Sequence, residues 1–314
     1  MISQWFVERK KCPACASAEF KTIYENAYDK GPVKEYLDDF YSAQGRVEHE
    51  YLKDAQYALC ECKSCGLIFQ RDIPNDHLME RLYEHWMDPK KVFELNKKEE
   101  DLGYYARYAQ EVMQIISFLK KEPSSVKILD FGMGWAKWAM MVKAFGGDAY
   151  GMELSKERIE YAKANGIKVI NWDEVPSHQF DLINTEQVFE HIPEPLETLK
   201  HLSKGLKSGG LIKISVPTAN DIERRLKIMD WKAQKGTANS LNAVSPLEHI
   251  NYYRRRTFTE MAAKTGLQEV QIPISIQRQF ITDHRGLKQK IKNFVFPFYI
   301  NVLKKRNYVF LRKV

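Results

Sequence analysis

Long apolar runs are missing from this sequence. A helix that crosses a bilayer needs about 20 consecutive apolar residues, and no segment of the 314 residues meets that requirement. The first residues, M-I-S-Q-W-F-V-E-R-K-K, also lack the apolar block and the cleavage site of a secretory signal peptide. We therefore expect a cytoplasmic protein. The length of 314 residues predicts about two domains, and 44% of hydrophobic residues is enough to bury a core.

Acidic residues are scarce at the end of the sequence. Positions 281–314 hold nine Lys and Arg residues and one acid, Asp283, which leaves 39 of the 48 bases and 40 of the 41 acids to the rest of the chain. Such a basic segment attracts phosphate, nucleic acid or anionic lipid, or is a solvated face. Within it, residues 286–303 are apolar with basic flanks, which predicts either peripheral membrane contact or packing against the sheet or a partner chain.

Cysteine is absent after position 65. The five cysteines are Cys12, Cys15, Cys60, Cys62 and Cys65. An odd, clustered set in a cytoplasmic protein favours a metal site over disulfides. Two C-x-x-C pairs are present, and two intervening residues let both thiolates of a pair reach one ion.

These spacings predict a structural Zn²⁺ site made by Cys12, Cys15, Cys62 and Cys65. Cys60 is left out because its side chain points away from that of Cys62 if this segment is a strand. The two pairs are separated by 46 residues, more than the roughly 15–20 of common zinc ribbons, so a long insertion is expected. The alternative is a set of reduced thiols without metal.

A glycine-rich turn follows the apolar stretch K-I-L-D-F. We expect a buried strand over 127–131, a tight turn at Gly132 and Gly134, and a helix whose free N–H groups point at a ligand. A second predicted strand ends at Glu153, 19 positions after Gly134. This is close to the roughly 20-residue interval at which a carboxylate meets a ribose diol. The third glycine that a dinucleotide-binding loop needs for close helix packing is missing, since Ala136 and Lys137 follow Trp135.

Four motifs in order resemble one enzyme family over residues 125–217. They are L-D-F-G-M-G-W-A, Y-G-M-E-L, Q-F-D-L-I-N-T-E-Q-V-F-E-H-I-P-E-P and L-K-S-G-G-L-I-K-I-S-V-P. Together they resemble the class I S-adenosylmethionine-dependent methyltransferases. The resemblance implies a Rossmann-like α/β fold, with a seven-stranded, mostly parallel sheet and helices on both faces, beside a small N-terminal zinc-binding domain.

The resemblance also implies which residues hold S-adenosylmethionine. They lie in the glycine turn and at the carboxyl ends of the second, third and fourth strands. The expected cofactor-binding residues are Asp130, Gly132, Gly134, Trp135, Glu153, Leu154, Asn171, Trp172, Thr185, Glu186 and Gln187.

Three segments are expected along the chain. Residues 1–75 form a zinc-ribbon-like domain with a long insertion, 76–122 a helical connector or lid, and 123–314 the methyltransferase domain. Within the last, residues 217–256 replace a short loop and are expected to form a substrate cap. We also predict a helix over 101–120 from its apolar spacing, and an antiparallel pair formed by the last two strands.

The candidate catalytic residues are His249, Glu248 and His191. E-H-I-N-Y-Y at 248–253 resembles an element of sugar methyltransferases, and the cysteine pattern resembles their N-terminal zinc domain. A sugar hydroxyl needs a positioned base, and His249 is the first candidate. His191, in F-E-H-I-P, has either a substrate role or a purely structural one. Related sugar C-methyltransferases carry a further C-terminal domain, whereas this sequence ends at the last predicted strand, which favours O-methylation of a sugar or glycan.

Two other functions stay open at this point. An RNA methyltransferase would use the zinc ribbon and the basic tail to hold phosphates, although N-T-E-Q at 184–187 differs from the N-P-P-Y type of motif. A non-catalytic cofactor-binding or assembly protein would bind the cofactor without turnover.

Overall fold

The computed structural model describes residues 3–42, 45–87, 101–217, 221–283, 286–303 and 308–314, with single residues at 91, 94 and 97. The described chain forms two compact units. The first comprises residues 1–99, 190–196 and 217–260, and the second comprises 100–189, 197–216 and 261–314. The expected connector 76–122 and cap 217–256 each include residues outside the described ranges.

The strands of the described chain are numbered in chain order. They are β1 (Phe6–Glu8), β2 (Phe20–Ala27), β3 (Gln56–Cys62), β4 (Ile68–Gln70), β5 (Asp72–Pro74), β6 (Lys127–Phe131), β7 (Asp148–Met152), β8 (Lys168–Val169), β9 (Phe180–Glu186), β10 (Leu206–Ser215), β11 (Asn251–Tyr252), β12 (Leu267–Val270) and β13 (Tyr308–Lys313).

The helices are numbered in the same way. They are α1 (Gly31–Ser42), α2 (Asp76–Arg81), α3 (Leu102–Leu119), α4 (Lys137–Ala144), α5 (Lys156–Ala164), α6 (Pro195–Lys204), α7 (Ile222–Ile228), α8 (Arg255–Thr265), α9 (Ile274–Gln279) and α10 (Gly286–Leu303). Helix α2 continues into a π-helical turn, Leu82–Trp86, and short 3-10 turns occur at His49–Tyr51, Pro123–Ser125, Trp172–Ser177, Phe189–His191 and Asn242–Val244. None of the helices in the described ranges is long and apolar enough to cross a membrane.

The second unit contains a seven-stranded sheet in the order β12-β13-β10-β9-β6-β7-β8. Strands β10, β9, β6, β7 and β8 run parallel, while β13 is antiparallel to both β10 and β12. The carboxyl ends of β6, β7 and β9 therefore lie along one edge of the sheet, and the glycine turn follows β6 at that edge. The predicted Rossmann-like fold class is confirmed.

Helix α3 forms over the segment whose apolar spacing predicted it. Asp101 caps the helix, because its carboxylate accepts a hydrogen bond from the Tyr104 amide at 2.7 Å. The apolar face buries Val112, Ile115 and Ile116 in the core of the second unit. The helix therefore belongs to the unit that contains the parallel sheet, and not to a separate connector.

The first unit is larger than a zinc ribbon. Its four-stranded antiparallel sheet has the order β11-β4-β3-β2, and β1 pairs with β5. The unit has an aromatic core that includes Tyr28, Tyr57 and Trp86, all fully buried. Trp231 and β11 come from the predicted cap, so residues 217–256 fold with the N-terminal region and share its core. The boundaries of the compact units thus differ from the expected division at residues 75 and 122.

Candidate functional site

The glycine turn after β6 lies against the end of β7. The amides of Gly132 and Met133 donate to the carbonyl of Met152 at 2.9 and 3.0 Å. Gly134 has a φ of +52°, and a Cβ at this position would meet nothing within 4 Å. The turn therefore presents open space beside the Gly134 backbone, where a ligand can approach closely.

The carboxylate of Glu153 closes the turn. One oxygen accepts the Gly134 amide at 2.9 Å, and the other accepts the amides of Leu154 and Ser155 at 2.9 and 3.1 Å. The side chain of Glu153 is 11% exposed and that of Leu154 is 94% exposed. The predicted acid thus stands beside the open face of the turn, where it can accept hydroxyl groups.

Ala136 replaces the third glycine in a left-handed conformation. Its φ is +55°, and the residue is fully buried at the start of α4. A left-handed backbone costs a non-glycine residue roughly 1–2 kcal/mol, so the loop keeps the glycine conformation at some cost in stability. The neighbouring Trp135 meets the ring of Tyr161 edge to face at 5.4 Å and lies 5.9 Å from the guanidinium of Arg158.

The residues after β8 adjoin the end of β6, where the ring of Trp172 lies 6.1 Å from that of Phe131. The ring of Trp172 stacks on His201, with centroids 3.8 Å apart and planes 9° apart. The Asn171 amide donates to Glu174 at 2.7 Å. Trp172 was expected to contact a flat base. One of its faces is covered by His201, so an adenine has only the opposite face to stack on.

Asp130 lies beneath the glycine turn and is 3% exposed. Its carboxylate accepts a hydrogen bond from the Asn184 side-chain amide at 2.7 Å. Burial raises the pKa of Asp130 to about 7, although the bond from Asn184 acts in the opposite direction. Asp130 thus joins β6 to β9 beneath the site.

The three residues at the end of β9 have separate partners. The Thr185 hydroxyl donates to the Lys213 carbonyl at 3.1 Å, so this buried side chain connects neighbouring strands. Gln187 has a φ of +54°, and its backbone N–H donates a hydrogen bond to the Ser215 carbonyl at 2.9 Å. Glu186 pairs with the Lys213 ammonium at 2.6 Å. Of these residues, Glu186 is the one that brings charge to this end of the sheet.

Lys213 is a site residue that sequence reasoning missed. It is buried in the middle of β10, and its ammonium also contacts Glu111 of α3 at 2.6 Å. Burial lowers the pKa of Lys213, but the two carboxylates outweigh this effect and raise the pKa overall. The indole of Trp138 donates to the same Glu111 oxygen at 2.8 Å. A lysine inside the apolar strand L-I-K-I-S was the signal that pointed to a buried partner.

The four predicted cysteine ligands converge in the first unit. All four sulfur atoms are buried and lie within 4.8 Å of one another. The Sγ atoms of Cys12 and Cys65 are 3.5 Å apart, as are those of Cys15 and Cys62. A tetrahedral Zn²⁺ with Zn–S bonds near 2.3 Å needs sulfur atoms about 3.8 Å apart. The geometry and the donor set therefore fit zinc.

Both knuckles have the same backbone shape. The Ala16 amide donates to the carbonyl of Cys12 at 2.8 Å, and the Gly66 amide donates to the carbonyl of Cys62 at 3.0 Å. Ala16 and Gly66 are both left-handed. Cys60 is not in the group, and its sulfur lies 3.6 Å from the Thr22 hydroxyl.

Two of the predicted catalytic residues lie together in the first unit. The rings of His191 and His249 have centroids 5.0 Å apart and meet edge to face. The Nδ1 of His249 donates to the carbonyl of Asn242, which leaves Nε2 as the nitrogen that can accept a proton. The Nδ1 of His191 lies 3.3 Å from the Tyr83 hydroxyl. Burial lowers the pKa of His191 to about 3 and that of His249 to about 4. Both rings are therefore neutral at pH 7.

Glu248, the third predicted catalytic residue, has another partner. Its carboxylate accepts a hydrogen bond from the Tyr41 hydroxyl at 2.5 Å. Burial raises the pKa of Glu248. The carboxylate beside the two rings is instead that of the buried Glu190, a residue that the sequence analysis did not single out. One potential ligand atom from each of Glu190, His191 and His249 lies within 4.8 Å of the others. Two imidazoles and a carboxylate can move a proton or hold a divalent ion.

A family model described as "Methyltransferase domain" matches residues 104–272, which is more than half of the chain. Among curated proteins, the ubiquinone biosynthesis O-methyltransferase of Vibrio cholerae serotype O1 is 24% identical over 163 residues, covering 46% of this chain and 61% of that protein. The protein of the same name from Aliivibrio fischeri is 23% identical, covering 46% and 64%. The chain spans about three fifths of the length of these relatives.

Two solved structures show the range of structural similarity. A plantazolicin methyltransferase in complex with a pentazolic desmethylPZN analog and SAH has a TM-score of 0.48 and 15% identity, covering 75% of this chain and 94% of that one. A possible histamine N-methyltransferase from Thermotoga maritima has a TM-score of 0.37 and 17% identity, covering 62% and 81%.

Proposed function

The chain belongs to the methyltransferase domain family, which confirms the predicted class of enzyme, and on that basis we propose that it methylates a hydroxyl oxygen of a sugar or another small acceptor. The methyl donor in this proposal is S-adenosylmethionine, held by the second unit. O-methylation is supported by the names of the curated relatives, which are O-methyltransferases.

The observation that carries the cofactor assignment is the position of Glu153 against Gly134. The carboxylate offers two oxygens at the open side of a glycine turn. We assign these oxygens to the ribose hydroxyls of the cofactor, from which they would accept hydrogen bonds. Trp172 supplies a flat ring for the adenine, and Glu186 supplies negative charge for the ammonium group of the methionine portion.

When bound, the cofactor supplies an electrophilic methyl group and leaves as a neutral thioether. The chain must remove the hydroxyl proton of the acceptor and exclude water. We propose that Nε2 of His249 accepts the hydroxyl proton of the acceptor. The hydrogen bond from Nδ1 to the Asn242 carbonyl stabilises the imidazolium that forms. His191, whose ring lies against His249, orients that ring.

The acceptor class has two candidates. The E-H-I-N-Y-Y element and the cysteine pattern resemble sugar methyltransferases and favour a sugar, free or as part of a glycan. The curated relatives are named for ubiquinone biosynthesis and favour a hydroxyl on an aromatic ring instead. A base at His249 serves either acceptor.

The test measures S-adenosylhomocysteine release by the full-length chain with nucleotide sugars, with catechol and with total RNA. Turnover with a sugar supports the proposal, and mass spectrometry then identifies the methylated oxygen. Turnover with catechol alone would mean that the acceptor is a hydroxyl on an aromatic ring and not a sugar. Turnover with RNA alone, or cofactor binding without turnover on any acceptor, contradicts it.

The base is tested separately with His249→Ala. Loss of a general base lowers kcat by about 10²–10³-fold while the affinity for S-adenosylhomocysteine is unchanged. His85→Ala, an exposed histidine of the same unit, is the matched control and keeps full activity. A His249→Ala enzyme within threefold of the native kcat would exclude the assigned role.

We also propose that the four clustered cysteines bind one structural Zn²⁺. A closed four-thiolate site has no position for substrate. Its role is to hold the β1–β2 loop to the β3–β4 turn within the first unit.

A further inference from the structure

Helix α10 presents a continuous apolar stripe to solvent. The exposed side chains on this stripe are Leu287 (74% exposed), Ile291 (57%), Phe294 (67%), Val295 (51%) and Phe298 (58%). Spacings of three and four residues place them along one side of an α-helix. Isolated exposed apolar residues need no explanation, but an aligned row of five large ones marks an interaction surface.

Two polar side chains of α10, Gln289 and Asn293, are half-buried and lie on the side of the helix away from the stripe. The Gln289 amide donates to Asn293 at 2.8 Å, and the Asn293 amide donates to the carbonyl of Asp283. Pro297, one turn further along, is buried. Among the described side chains of α10, Gln289, Asn293 and Pro297 thus lie on the less exposed side of the helix, while the five large apolar side chains lie on the exposed side.

Arg278 of α9 fixes this orientation. Its guanidinium donates to the carbonyl of Phe294 at 2.9 Å and lies 4.5 Å from the centroid of the Phe294 ring. A rotation of the helix that buried its apolar side would break both contacts. The outward direction of the stripe is thus built into the packing of α9 against α10.

The sequence of α10 and of the segment that follows it carries charge of one sign. Helix α10 contains three lysines and no acid, and residues 284–314 contain nine Lys and Arg residues and no acid. Lys290 is exposed and lies on the same side of the helix as Leu287 and Ile291. A twofold contact between copies would bring these cations together, which like-charge repulsion disfavours. An anionic surface complements them.

We propose that the apolar stripe of α10 docks on the surface of an anionic lipid membrane. An 18-residue helix is about 27 Å long, and it lies in the plane of the interface with its large side chains among the acyl chains. The exposed Lys290 beside the stripe meets the lipid phosphates. This location would bring the enzyme to acceptors carried by lipids.

The experiment is cosedimentation of the full-length chain with vesicles of phosphatidylcholine alone and of phosphatidylcholine mixed with phosphatidylglycerol. We expect strong binding to the mixed vesicles, weak binding to the neutral ones, and a decrease with added salt. The double variant Phe294→Glu, Phe298→Glu should reduce the partition coefficient at least tenfold, since it places two carboxylates in the apolar stripe. Lys290→Gln should reduce it about fivefold, the equivalent of roughly 1 kcal/mol per lysine.

Matched controls carry the same chemical changes elsewhere in the same unit. Leu102→Glu changes another exposed apolar residue, and Lys264→Gln removes another exposed lysine, and both should bind as the native chain does. Unchanged melting temperatures show that each variant is folded. The proposal is overturned if mixed vesicles do not bind the chain, or if the stripe variants bind as well as their controls. A dimer that dissociates in the double variant while vesicle binding persists would assign the stripe to a second copy.

Discussion

The ammonium group of Lys213 lies 2.6 Å from the carboxylate of Glu186. Lys213 is buried within the sheet, whereas the Glu186 side chain is 35% exposed. A second carboxylate, that of Glu111, contacts the same ammonium at 2.6 Å. The cluster therefore holds one cation between two anions and has a net negative charge beside the candidate cofactor site. It also joins α3, β9 and β10, so we expect it to contribute to the stability of the second unit.

The Lys213 cluster predicts strong non-additivity. Glu111→Gln or Glu186→Gln alone should lower the free energy of unfolding by about 1 kcal/mol, because one carboxylate still neutralises the lysine. The double variant leaves a buried, unpaired ammonium and should lose about 3–5 kcal/mol. Urea denaturation measures each value.

A third substitution checks the cause. Adding Lys213→Met to the double variant removes the buried charge and should recover most of the lost stability. Glu197→Gln, which breaks the exposed pair with Lys200, should change stability by less than about 0.5 kcal/mol. If the effects of the two glutamine substitutions on the free energy of unfolding were additive, the claim that either carboxylate alone neutralises Lys213 would be wrong.

The glycine turn was predictable because its geometry is local. Gly132, Gly134 and Glu153 belong to one β-α-β segment, so their spacing in the sequence determines their arrangement in space. The same holds for each C-x-x-C knuckle. The meeting of the two knuckles was expected from zinc chemistry alone, since 46 residues separate them.

The division of the chain was not predictable from local patterns. Residues 217–256 looked like an insertion above the sheet, but the Tyr57 hydroxyl donates to the Val244 carbonyl and Gln70 donates to that of Ser245. These bonds join segments more than 170 residues apart. The partners of Lys213 lie 102 and 27 residues away in sequence, and their meeting depends on strand order and on how α3 packs. Periodicity identifies elements, but long-range pairing requires the tertiary structure.

Gly134→Ala should weaken cofactor binding specifically. The added methyl group occupies the open space beside the turn and strains a backbone at φ +52°. We expect S-adenosylhomocysteine affinity to fall at least tenfold by calorimetry, and unfolding to become easier by about 1 kcal/mol.

Gly146→Ala is the matched control for strain. Gly146 has a φ of +88° and also has no neighbour within 4 Å of a Cβ. Its substitution should cost similar stability and leave the cofactor affinity unchanged. If the two variants bound S-adenosylhomocysteine with equal affinity, the glycine turn would not be the cofactor-binding site.

Metal analysis should find one zinc ion per chain. A strong chelator should destabilise the first unit, because the free energy of metal binding is part of its folding free energy. Cys62→Ser should lower zinc content well below one and lower the melting temperature, whereas Cys60→Ser should retain the metal. Full zinc occupancy in Cys62→Ser, or its loss in Cys60→Ser, would mean that the ligand set is wrong.

The two histidines should make stability depend on acid pH. Burial and, to a smaller extent, the neighbouring ring of His249 lower the pKa of His191 to about 3, and burial lowers that of His249 to about 4. In the unfolded chain both pKa values are near 6.5. Between about pH 4 and pH 6.5 the unfolded state therefore binds protons that the native state does not, so the free energy of unfolding decreases as the pH falls through this window.

Urea denaturation at pH 7 and pH 5 measures that decrease. The native chain should lose roughly 4 kcal/mol more than the double variant His191→Gln, His249→Gln, because each histidine contributes about 2 kcal/mol and glutamine does not titrate. The comparison cancels the contribution of Asp130, whose raised pKa has the opposite effect on stability in the same range. An equal loss in both proteins would mean that the imidazoles protonate as readily in the native state as in the unfolded chain. In that case His249 would be partly charged near pH 6, and methyl transfer would decline below that pH instead of persisting to about pH 5.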